Sequence, residues 1–69
     1  MLIELFDKIK LKNGKTAHIV EIYEQGIAYE ADIDETDGEY TTDTIKHGDI
    51  LYVFVKQDVQ NTVKYASGK

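Results

Sequence analysis

Regular patterning begins at Asp7-Lys8-Ile9-Lys10-Leu11-Lys12, where polar and apolar residues alternate strictly. A period of two sends Ile9 and Leu11 one way and the lysines the other, which predicts a half-buried strand. Thr16 to Tyr23 is the most strand-prone run, with Ala17, Ile19 and Ile22 expected inward. Its parity breaks where Ile19 and Val20 adjoin. A β-bulge there lets both Ile19 and Ile22 reach a core and bends the strand as a small barrel requires. Ile27 to Ile33 alternates again: Ile27, Tyr29, Ala31 and Ile33 share one face, and Ala28, Glu30 and Asp32 the other. Glu39 to Thr44 predicts a Thr-rich strand exposed on one side. Ile45 to Asp49 is too short for a helix and predicts a single 3₁₀ turn. Ile50 to Val55 is a continuous apolar run, expected as a strand buried on both sides or joining two sheet faces. Beyond it the period is lost, and residues 57–69 read as a partly disordered C-terminal tail.

Polar-Gly pairs punctuate these runs at Asn13-Gly14, Gln25-Gly26, Asp37-Gly38 and His47-Gly48. Asn13-Gly14 is the pair preferred in a two-residue type I′ hairpin, and Asp34 to Gly38 predicts a longer polar loop. Turn signals every ten to twelve residues, with no helix-length segment between them, point to a small all-β meander. The expected fold is a single small five-stranded SH3-like barrel over residues 1–56, with a 3₁₀ turn before the last strand.

The segment Phe6-Asp7-Lys8-Ile9-Lys10-Leu11-Lys12-Asn13-Gly14-Lys15-Thr16-Ala17-His18-Ile19-Val20-Glu21-Ile22-Tyr23, with Gly26, Tyr29 and Glu30 after it, resembles a family of small bacterial domains of unknown function. That family's pattern runs Asp-apolar-x-Leu, a Gly turn, Gly-x-Ile-Val-Glu, a second Gly turn, then a Tyr-x-Val-Glu-like strand. It looks like the SH3-like or KOW type of barrel. The resemblance covers roughly residues 5 to 33. Ala17 stands where the pattern has Gly, and Ala31-Asp32 where it has Val-Glu, both conservative in shape. The resemblance implies a fold and brings no catalytic or ligand residues with it.

Sixty-nine residues suffice for one domain with little stability margin. There is no Cys, which excludes disulfides and thiolate zinc sites and suits a reducing, cytoplasmic setting. Met1 to Phe6 carries an acid inside a very short apolar run, unlike a signal peptide, and no apolar stretch has membrane-spanning length. The formal charge is −5, and all eight cations are Lys. Without Arg the chain lacks the fork that reads guanine or clamps phosphate, and its acidity opposes nucleic-acid affinity further. The charges are segregated. Lys8, Lys10, Lys12 and Lys15 crowd the first quarter, whereas Thr16 to Ile45 holds nine acids and no cation. A basic edge and an acidic face are expected. The lysines read as solubilising or edge-guarding residues, ahead of a phosphate-contacting stripe.

Catalysis finds no support. The only Ser is Ser67, and neither His18 nor His47 lies near a credible nucleophile. Asp32-x-Asp34-x-x-Asp37-Gly38 approaches a calcium loop, but its register is off by one and strands replace the flanking helices. A hairpin loop in which Asp34 or Asp37 caps a turn explains those acids better, and no cofactor or metal is assigned. Of the tyrosines, Tyr29 and Tyr52 fall at buried parities, while Tyr23 and Tyr40 flank turns. Tyr suits interfaces because its body is apolar and its tip polar.

The expected function is a small non-catalytic acidic module that docks another protein with a basic surface. Its candidate contact residues are Glu30, Asp32, Asp34, Glu35, Asp37, Glu39, Tyr23 and Tyr40. A second reading has the same acids imitate nucleic acid and block a nuclease's basic cleft. A third has Lys8 to Lys15 bind nucleic acid, ranked last on charge. The apolar run Ile50 to Val55 adds the expectation of a homodimer.

Overall fold

The computed structural model describes residues 1–55, so the predicted tail at 57–69 lies outside the described residues. Five strands follow one another: β1 (Lys8–Leu11), β2 (Thr16–Glu24), β3 (Ala28–Asp34), β4 (Tyr40–Lys46) and β5 (Ile50–Val53). A 3₁₀ turn, His47–Asp49, precedes β5. All pairings are antiparallel within one sheet of order β4-β3-β2-β1-β5. The fold is all-β and barrel-like, as the pattern predicts.

The core lies on the inner face of this curled sheet. Ile9 and Leu11 from β1, Ala17 and Ile19 from β2, Tyr29 and Ala31 from β3, Ile45 from β4 and Ile50 from β5 are all buried there. Side chains of Ile, Leu or Tyr size buried this way contribute roughly 1.5–3 kcal/mol each. The register of β2 on β3 slips between Ile19 and Glu21, leaving Val20 as the extra residue. That bulge sits where parity breaks in the sequence, and through it both Ile19 and Ile22 reach the core.

Several local expectations change. Asn13-Gly14 does not form a two-residue type I′ turn, because that turn needs positive φ at both residues and only Gly14, at +94°, has it. Instead the Gly14 N–H donates to the Leu11 carbonyl and the Leu11 N–H to the Lys15 carbonyl, closing a three-residue loop. Glu35 to Glu39 repeats this construction, with Gly38 at +88°. In each loop the residue before Gly accepts a backbone N–H two positions on: Asn13 Oδ1 from Lys15 and Asp37 Oδ1 from Glu39. These Asx contacts hold both turns.

Ile45 belongs to β4 rather than to the 3₁₀ turn, since its pairing with Tyr29 lets it cover the core. Ile27 faces solvent because the Gln25-Gly26 turn occupies it before β3 begins. The run Ile50 to Val55 is not buried on both sides. β5 is an edge strand, so Leu51 and Tyr52 are exposed and Val55 is 79% accessible. Only Ile50 is buried in this run, while Val53 packs partly against the core.

An N-terminal arm joins the sheet without being a strand. Ile3, 1% exposed, completes the core. The Gln25 side chain holds it by accepting the Ile3 N–H and donating to the Ile3 carbonyl, each at 2.8 Å. Asp7 is buried and its Oδ2 accepts the Glu4 N–H, closing the turn in which Phe6 adopts φ +69°. Tyr29 belongs to the same core. Its fully buried hydroxyl accepts the Gly26 N–H at 2.8 Å and is hydrogen-bonded to Nδ1 of His47 at 2.6 Å. This contact ties the β2–β3 turn to the 3₁₀ turn.

Candidate functional site

Period-two alternation places Glu30, Asp32 and Asp34 on the outer face of β3, away from the buried Tyr29 and Ala31. Neighbouring strands supply neutral donors. Thr42 Oγ1 donates to Asp32 Oδ1 at 2.6 Å, and Thr44 Oγ1 to Glu30 Oε1 at 3.0 Å. Tyr23 Oη donates to the same Glu30 oxygen at 2.8 Å. Donating that bond to a carboxylate, beside the Glu30 and Glu21 charges, holds the Tyr23 hydroxyl above its ordinary pKa. Glu21 stands directly opposite Glu30 in the ladder, a like-charge pairing that costs stability.

The remaining candidates gather at the β3–β4 hairpin. Tyr40 lies opposite Asp34 and is exposed. Glu35 pairs with Lys15 at 2.7 Å, joining the two matching hairpin tips. The Lys15 ammonium, followed by the Thr41 hydroxyl, holds the Glu35 carboxyl below its ordinary pKa. Asp37 turns its carboxylate onto the Glu39 N–H, in the turn-capping role. Tyr23, Glu30 and Asp32 thus form one outer face, continuous with Asp34 and Tyr40. Glu35, Asp37 and Glu39 form the loop at its end. No three His or carboxylate side chains converge as metal ligands do among the described residues.

On the same outer side, β1 presents Lys8 and Lys10. The Lys8 ammonium lies 5.0 Å from the Phe54 ring centre, and Tyr52 meets Phe54 edge-on at 5.2 Å. The exposed surface therefore grades from lysine on β1 to carboxylate on β3.

Beside β4 lies a cleft of about 520 Å³ that the linear pattern does not reveal. Leu11, Ile33 and Ile45 floor it, and Asp43, Asp49 and Lys12 stand on its rim. Asp43 has core parity, opposite Ala31, yet is exposed because β4 is the outermost strand and nothing among the described residues packs over its inner side there. An acid at a core parity is the one signal by which sequence reading finds this place.

Compared with family models, curated proteins and solved structures, the chain matches none. No helix among the described residues is long and apolar enough to cross a membrane.

Proposed function

We propose that this chain is a small non-catalytic binding module that docks a basic segment of another protein on the outer face of β2, β3 and β4. The strand order and the 3₁₀ turn fit the SH3-like resemblance. One observation carries the reading. Glu30 and Asp32 are oriented by the hydroxyls of Tyr23, Thr42 and Thr44, which position carboxylates without neutralising them. A like-charge pairing of Glu21 with Glu30 is kept beside them, a cost that a cationic ligand relieves. The exposed Tyr23 and Tyr40 add apolar area at the rim of the acids. A chain without Cys suits a reducing compartment, and a cytoplasmic setting is part of the same proposal.

Fluorescence anisotropy with a labelled Lys-rich peptide tests this. Binding is expected at low ionic strength, weakening as salt screens exposed charges. The double variant Glu30→Gln, Asp32→Asn is expected to lose about tenfold in affinity, two charge contacts at the modest worth of exposed pairs. Equal affinity for wild type and variant counts against this face.

A further inference from the structure

Among the described residues, β4 has one unpaired edge. β4 pairs with β3 over seven consecutive residues without a register shift and is the outermost strand of the sheet. The other edge, β5, has four residues and an irregular register on β1. Two bonds outside the ladder set which groups of β4 face outward: the His47 N–H donates to the Ile27 carbonyl and the Glu35 N–H to the Glu39 carbonyl. Antiparallel pairs alternate between bonded and non-bonded. Thr41, Asp43 and Ile45 therefore spend their backbone groups on β3. Tyr40, Thr42, Thr44 and Lys46 turn theirs to the open side.

Two carboxylates occupy this edge. Asp43 Oδ1 accepts the Thr44 N–H at 2.8 Å, and Asp49 Oδ2 accepts the Lys46 N–H at 3.0 Å. Both residues also line the apolar-floored cleft beside the strand. Charges on an edge guard it against indiscriminate pairing. A second copy of β4 would set the same acids against each other, whereas a cationic strand would pair with them.

We propose that an extended basic peptide adds to β4 as a sixth strand. Its backbone bonds the outward groups of Tyr40 and Thr42. Its Lys or Arg side chains draw Asp43 and Asp49 off the Thr44 and Lys46 N–H groups, which then join the new ladder. Apolar side chains on that same face of the peptide enter the cleft over Leu11, Ile33 and Ile45. This rests on the reading that the partner is a basic segment, and adds where the backbone of that segment lies.

The test uses the whole chain and two capped peptides with both Arg and Val on one strand face, one unmodified and one methylated at every backbone nitrogen. Methylation keeps charge and side chains and removes the strand edge. The unmodified peptide is expected to bind at least about tenfold more tightly, the worth of one or two net backbone hydrogen bonds. It is also expected to slow amide exchange at Tyr40, Thr42 and Thr44. Thr42→Pro, which deletes an outward N–H where edge proline is tolerated, should abolish that preference while circular dichroism stays native. Equal binding of both peptides without edge protection overturns strand addition and leaves the acidic-face reading standing. Binding of neither overturns both. A free protein that sediments as a dimer with those amides already protected gives the edge to a second copy and overturns the peptide proposal.

Discussion

Gly14 and Gly48 show how one residue type carries different weight at two turns. Gly14 holds φ +94°, and a Cβ there meets nothing within 4 Å, so any penalty for a side chain comes from the backbone alone. Gly14→Ala is expected to cost about 1–2 kcal/mol, the price of a left-handed conformation for an L-residue. Gly48 has no positive φ and equal space, so Gly48→Ala should lie within about 0.5 kcal/mol of wild type or slightly above it. Urea midpoints of the two variants check the contrast, and equal losses would refute it. Glu35 sets a pH dependence. Its folded pKa lies below the ordinary 4.5, through Lys15 first, so its contribution is present above that value and fades as pH falls through the folded pKa. Glu35→Gln should flatten the acid limb of stability against pH, and an unchanged limb would assign it to other groups.

At the scale of elements, the strands were legible and their ends were not. Alternation at Ile9 and Leu11, and at Tyr29 and Ala31, states which face is buried, and the Ile19-Val20 break marks the bulge. Asn13-Gly14 does not by itself specify its turn type, because the same dipeptide serves a two-residue and a three-residue loop. The choice falls to the Asn13 side chain and the pairing of Leu11 with Lys15. The N-terminal arm was illegible, since Met1 to Phe6 has no period and its partner is the distant side chain of Gln25. Ile3→Ala is expected to lose about 2–5 kcal/mol as a buried large-to-small change. Gln25→Ala should lose about 1–3 kcal/mol by stripping two partly buried backbone groups of their partner. If equilibrium unfolding finds both near neutral, the arm is no part of the folded core.

At the scale of the molecule, curvature and charge decide what remains open. The sheet leaves β4 and β5 as edges, and β4 is the longer and more regular of them. Asp43 and Asp49 bond its outward N–H groups and place negative charge where another strand would approach. Replacing both with Ala should expose those groups and remove the repulsion between copies. Sedimentation velocity is expected to show self-association that rises with concentration and exceeds that of wild type. A monomeric double variant would mean that the edge needs no such guard.

The sequence by itself determined the all-β class, the strand count, the inward residues of the first three strands and the bulge. Each of these follows from side-chain parity and from glycine's tolerance of positive φ, properties read within a few neighbouring residues. Tertiary structure alone decided that Ile50 to Val55 lies at an edge, that Ile3 closes the core through Gln25, and that Asp43 and Asp49 line one cleft beside β4. Those depend on which strand lies outermost and on contacts between residues far apart in the chain, and no local pattern encodes either.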